Sequence, residues 1–304
     1  MRRSLAALTL TLALAVALAA SAPAAATSRV GLIVIRVVER SRSIRLADGR
    51  RVPRTLVTYV RYPATGPASS ADVPDVRPAP GAHPLVVFAH GFDVSPAPYA
   101  RLLHYWAAHG YVVAAPVFPL TNPRAPGGAD ERDVVNQPHD MSAVISRLVS
   151  ARGVLAGLVN PARIAVAGQS DGAVTALASA YDRRVRDPRV RAAVIMAGAE
   201  IPPFSSFAAG AAPALLAAQG TADSTNNPQN TYGIFRGAPR PKYLLRLLGA
   251  QHLPPFTYAQ PWLGVVERAT VAFLDGYLKR RPAALERLRR FGNVRGEASL
   301  SAEP

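Results

Sequence analysis

An α/β fold, with a mostly parallel central sheet of about eight strands and helices on both faces, is what this sequence predicts. Three observations predict it. From residue 85 onward, short apolar runs alternate with amphipathic segments, and such alternation demands crossover connections. Runs such as Leu85-Val86-Val87-Phe88-Ala89 are apolar throughout, as strands covered on both faces are. Polar turns follow these strands, at the sheet edge where ligands of open α/β sheets bind.

Taken in chain order, residues 1–26 read as a secretory signal peptide. Met1-Arg2-Arg3 supplies positive charge, Leu5 to Ala20 is almost purely apolar, and Ala24-Ala25-Ala26 offers small residues for cleavage before Thr27. The alternative is an uncleaved anchor, for which the run is short. The reading implies a secreted, extracellular protein with no stable membrane span. Residues 27–280 then form one folded domain, and residues 281–304 a charged helix end followed by a loose tail.

Within the domain, residues 30–38 and 55–61 read as two strands joined near the Asp48-Gly49 turn, an antiparallel hairpin at a sheet edge. Residues 63–84 are a long Pro- and Ala-rich loop. Further strands are read at 85–89, 111–115, 163–167, 190–196, 214–219 and 242–248. Helices are read at 99–109, 140–152, 172–181 and 262–279, the first ended by Gly110. A second long loop covers 116–138.

Composition narrows the function classes. With 304 residues and 49% apolar content the chain can bury one substantial core. It has no cysteine, which removes disulfides, thiolate metal sites and a cysteine nucleophile. Its formal net charge of +16 is mostly arginine and suits a solvated basic face, with an anionic surface as a possible partner. No zinc finger, stacking-sheet motif or compact basic helix is present, so nucleic acid is not expected. Asp130, Asp133 and Asp140 lack calcium-loop spacing, so no metal is expected, and no cofactor is implied.

The chemistry is carried by residues 164–174, where an apolar strand runs into Gly168-Gln169-Ser170-Asp171-Gly172 and then a helix of small residues. This G-x-S-x-G in strand–turn–helix context is a nucleophile elbow: the glycines permit close approach and Ser170 stands at a helix N-terminus. Attack on a carbonyl needs oxyanion donors. The backbone N–H groups of Asp171, after the nucleophile, and Phe92, in the turn His90-Gly91-Phe92 after the first central strand, fit that need. His90 then orders the turn.

Ser170 also requires a base and an acid. Of six histidines, only His252 follows a late apolar strand, in a loop stiffened by Pro254-Pro255. Asp223, in Gly220-Thr221-Ala222-Asp223 after the strand at 214–219, is the acid by position, with Glu200 as its rival. The expected triad is Ser170, Asp223 and His252.

These motifs resemble those of α/β-hydrolases of the dienelactone-hydrolase-like and platelet-activating-factor-acetylhydrolase-like group, with chlorophyllase-like and, more distantly, cutinase-like members. The resemblance covers roughly residues 85–278 and rests on G-Q-S-D-G, G-T-A-D, G-A-Q-H, the H-G-F turn and Asn136-Gln137-Pro138-His139-Asp140. It implies the α/β-hydrolase fold and a serine esterase that forms an acyl-enzyme. Departures are visible: Gln169 and Asp171 replace the His and Met usual in cutinase-like elbows, and Gly198-Ala199-Glu200 stands where those enzymes place a tryptophan. A dienelactone hydrolase proper would need a cysteine nucleophile.

The short stretch between Met196 and Ala214 leaves little room for a lid, so an open groove is expected, lined by Phe92, Phe118, Phe204, Phe207 and Phe256. No buried charge for selecting a charged group is apparent. A small or lipid-like ester substrate and a monomer are expected. Two other classes stay open: a peptidase or amidase using the same triad, and a non-catalytic surface-binding protein retaining the fold.

Overall fold

The computed structural model describes residues 27–202, 204 and 212–304; the expected signal peptide, residues 1–26, and Phe207 lie outside them. Strands β1 (Arg29–Arg45) and β2 (Arg51–Ala64) form the expected hairpin, but run further than their apolar cores. The polar extension 39–45 stays paired through a bulge between Glu39 and Ser43. A two-residue strand, β3 (Val73–Pro74), pairs with β1 inside the expected loop.

The alternating part then runs β4 (His83–Ala89), α1 (Ala100–Ala108), β5 (Val112–Val117), α2 (Gln137–Val149), β6 (Val159–Gln169), α3 (Asp171–Tyr181) and β7 (Val190–Met196). It continues as β8 (Ala214–Gly220), α4 (Pro228–Gly237), β9 (Lys242–Leu247), α5 (Pro254–Thr257) and α6 (Trp262–Tyr277), and ends with α7 (Pro282–Gly292) and β10 (Ala298–Glu303).

Among the described residues the sheet has ten strands, in the order β10-β9-β8-β7-β6-β4-β5-β2-β1-β3. The two beyond the expected eight are β3 and β10. Strands β4 to β9 run parallel to one another, whereas β1, β2 and β10 join antiparallel. The segment expected as a loose tail is therefore ordered: Ala298 to Glu303 pair with Leu247 to Lys242. Its apolar residues are spread among arginines, so charge hides their helical spacing. Ala284 and Leu288 are nonetheless fully buried.

Period-two alternation splits the core between the two faces. Val86 and Phe88 pack with Leu102, Trp106 and Phe273 on one side. Leu85, Val87 and Ala89 pack with Met141, Val144 and Ala176 on the other. The chain steps from β4 to β5 on one side and then crosses to β6 on the other, so β4 marks the topological switch. Ala89 pairs with Gly168, which brings the turn after β4 beside the elbow after β6.

Candidate active site

The elbow is built from two positions that only glycine can fill. A Cβ on Gly168 would lie 1.9 Å from the Gly172 carbonyl oxygen, and one on Gly172 would lie 2.1 Å from that of Ala89. This crossing forces Ser170 to φ 56°, ψ −124°, a positive φ that a non-glycine residue adopts only under constraint. The Ser170 N–H donates to Met196 O at 2.9 Å, which ties the turn to β7. Half-buried Ser170 thus stands at the N-terminus of α3 and lines a cavity of about 450 Å³ together with Phe92, Asp171 and His252.

The turn after β4 is held by His90. Its Nδ1–H donates to Gly91 O at 2.8 Å, while Nε2 accepts the Phe118 N–H at 3.1 Å. Burial pushes its pKa down to about 4, only partly opposed by the Gly91 carbonyl, so the ring is neutral. The backbone hydrogen bonds of the turns leave the N–H groups of Phe92 and Asp171 without a protein acceptor among the described residues.

His252 follows β9, and its Nδ1 is 2.8 Å from Asp223 Oδ2. The Asp223 side chain is fully buried and fully satisfied. Oδ1 accepts the Thr225 and Asn226 N–H groups, each at 2.9 Å, and Oδ2 also accepts from Gln219 Nε2 at 2.9 Å. Thr231 Oγ1 in turn donates to Gln219 Oε1 at 2.6 Å. Glu200, the rival acid, is solvent-exposed and does not line the cavity. The remaining histidines lie elsewhere: His104 pairs with Asp72, His83 opens β4, His109 ends α1 and His139 is exposed on α2.

Sequence reasoning did not find Gln169. Its Nε2 donates to His252 Nε2 and to the His252 carbonyl, both at 3.2 Å. The Tyr99 hydroxyl donates to Gln169 Oε1 at 2.7 Å, and this fixes which end of the amide faces the imidazole. A ring that accepts at Nε2 carries its proton on Nδ1, facing Asp223. The sequence signal was only a polar residue at an elbow position; its burial, 2% exposed, belongs to the structure.

The expected aromatic lining is corrected. Phe118 and Phe256 are fully buried in the core, Phe118 against the His90 ring, and Phe204 is not at the cavity. Phe92 remains, 37% exposed, and among the described residues the apolar wall is otherwise aliphatic: Val94, Val174, Ile201 and Leu253. The cavity is also not free of charge, since Asp171 and Glu131 line it. No cluster of metal-binding side chains occurs among the described residues.

A mostly parallel sheet with an elbow serine after β6, a buried aspartate after β8 and a histidine after β9 has the α/β-hydrolase fold. The fold is matched by the ferulic acid esterase of Streptomyces cinnamoneus, with a TM-score of 0.69 at 23% identity, covering 88% of this chain and 94% of that one. Within that class, the chlorophyllase family model matches residues 67–196, a span that includes the His90 turn and the elbow but not Asp223 or His252. Chlorophyllase type 0 of Chenopodium album is 31% identical over 101 residues, which are 33% of this chain and 29% of the relative. The similarity therefore spans less than a third of that relative's length.

Proposed function

We propose that the chain is a serine carboxylic ester hydrolase that works through an acyl-enzyme, on small or lipid-like esters. One observation carries the reading: strained Ser170 opens a helix within a cavity shared with His252, whose Nδ1 is held by a buried, fully bonded Asp223. The names of the fold and family neighbours, a ferulic acid esterase and chlorophyllases, support ester hydrolysis in general.

In this mechanism the Ser170 hydroxyl displaces the Gln169 amide from His252 Nε2 as substrate enters. Ser170 Oγ attacks the ester carbonyl carbon and its proton passes to Nε2. Asp223 holds the tautomer and stabilises the imidazolium. The Phe92 and Asp171 N–H groups receive the oxyanion. Collapse breaks the bond to the alkoxy oxygen, which leaves with the proton from Nε2. Water then repeats the sequence on the acyl-serine and returns the carboxylic acid. No step calls on a metal or cofactor.

A fluorophosphonate probe should label Ser170, and p-nitrophenyl acyl esters should be hydrolysed in preference to p-nitroanilides. Ser170→Ala should retain at most ~10⁻³ of turnover, and Asp223→Asn should cost on the order of 10²–10⁴, while Glu200→Gln should cost less than about tenfold. Preferential cleavage of anilides would favour the peptidase or amidase reading. A folded protein that ignores the probe would point to a binding protein. We also propose export, with the mature chain beginning near Thr27, a monomer, and adhesion of its basic face to anionic surfaces. N-terminal sequencing of protein from the medium tests the first of these.

A further inference from the structure

The cavity carries a charge arrangement that ester hydrolysis by itself does not use. The Asp171 backbone has a place in the reaction proposed above, but its side chain does not. The residue is only 7% exposed, its Oδ2 is buried without a hydrogen-bond partner, and the residue lines the cavity. Being at the first position of α3 offers the carboxylate the helix dipole. That gain is smaller than the cost of desolvating a carboxylate and leaving one oxygen unpaired. A buried carboxyl beside Ser170 with one oxygen unpaired leaves a place for a counter-charge carried by the ligand.

A second acid faces the same space. Glu131, at the start of the helical turn Glu131–Asn136, lines the cavity as well. The neighbouring arginine is not available to it, because Arg132 forks onto Asp130. In a chain with 35 lysines and arginines, none lines this cavity among the described residues. The basic side chains elsewhere are largely screened beyond a Debye length of roughly 8 Å at physiological salt. Inside the cavity, Asp171 and Glu131 therefore set the sign. Apart from Phe92, the apolar walls around them among the described residues are aliphatic, from Val94, Val174, Ile201 and Leu253.

We propose that this site selects esters bearing an ammonium group, with the carboxylates of Asp171 and Glu131 as its counter-charge and the aliphatic walls packing its carbon substituents. The proposal rests on the ester hydrolase reading and names the substrate class of that same site. It carries a pH signature. Burial first, then the charge of Glu131, raises the Asp171 pKa to about 6, and His252 opposes them. Asp171 is anionic only above that value, so preference for the cation grows as pH rises through it.

The test compares esters that differ only in charge. Acetylcholine is paired with 3,3-dimethylbutyl acetate, which places the charge on the alcohol side. The 4-nitrophenyl esters of 4-(trimethylammonio)butyrate and 5,5-dimethylhexanoate place it on the acyl side. Within each pair the ratio of kcat/KM cancels the shared Ser170 and His252 chemistry. In at least one pair the cationic ester should lead by about tenfold or more near pH 8, and the lead should shrink towards one near pH 5. Asp171→Asn should abolish the lead. Glu131→Gln, at an exposed position that folding tolerates, should cut it by about threefold or more. Ratios at or below one in both pairs, with the neutral esters hydrolysed, would overturn the inference and leave the esterase reading standing. No turnover of any of the four esters would also overturn it. Fluorophosphonate labelling of Ser170 then shows whether the esterase reading falls too.

Discussion

His90 shows how much a single side chain can decide. It bridges Gly91 O and the Phe118 N–H, and it is buried as the neutral imidazole with its pKa pushed down to about 4. The unfolded histidine titrates near 6.5, so between these values the unfolded chain binds more protons and stability rises with pH. His90 therefore withdraws on the order of 3 kcal/mol as pH falls from above about 6.5 to about 4. Urea unfolding at pH 5 and pH 7 should show about 2 kcal/mol of this loss, and His90→Gln should flatten it. Unchanged pH dependence in the variant would remove His90 from the argument. Gln169 acts at the same scale. Gln169→Leu deletes the amide that holds the His252 carbonyl and, until substrate enters, the ring Nε2. It should lower kcat by about tenfold with KM changed far less, since the lost contacts position the base and not the substrate. A rise in KM alone would mean that Gln169 touches substrate instead.

At the scale of elements, α7 and β10 complete the sheet. Strand β10 covers the edge of β9, and unpaired edges template association. Leu288 of α7 is fully buried, and Leu285 fills the space that a side chain at Gly276 of α6 would need. Leu288→Ala should destabilise the protein by about 2–5 kcal/mol in chemical denaturation. A cost below about 1 kcal/mol would mean that α7 is not docked as described. This segment was illegible in the sequence because Arg287, Arg289 and Arg290 dominate its composition, and strand pairing through residues such as Ser299 and Ser301 leaves no apolar run. The opposite error came from Phe118 and Phe256. From the sequence both are expected to line the groove, but both are buried in the core.

At the scale of the whole molecule, an ion cluster fastens the antiparallel extension to the helical layer. Arg54 of β2 contacts Asp140 of α2 at 2.6–3.0 Å and Asp133 at 2.6–2.9 Å, and all three residues are buried. Arg42 of β1 adds contacts to Glu39 and Asp140. Such a cluster is neutral or costly against an apolar replacement of every member, but losing one member strands the others. Arg54→Met should cost about 3–5 kcal/mol, and adding Asp133→Asn and Asp140→Asn should recover much of it. Calorimetry on the single and triple variants checks this, and an undiminished melting temperature for Arg54→Met would refute it.

What the sequence determined by itself was local. Apolar runs specify strands that are covered on both faces, and their alternation with amphipathic segments specifies a mostly parallel sheet. Two glycines around Ser170 specify the elbow, because no larger residue fits between β6, α3 and β4. The placing of Asp223 and His252 after late strands followed, since polar turns at one sheet edge must converge. The tertiary structure alone decided what those turns meet. Gln219, held by Thr231, binds Asp223, Tyr99 aims the Gln169 amide at His252, and Glu131 and Asp171 line one cavity. These contacts join residues far apart in the chain, and they depend on strand order and side-chain direction. Periodicity along one strand or helix carries neither, so the partners of each polar group are chosen only when the sheet is assembled and its buried donors and acceptors must be paired.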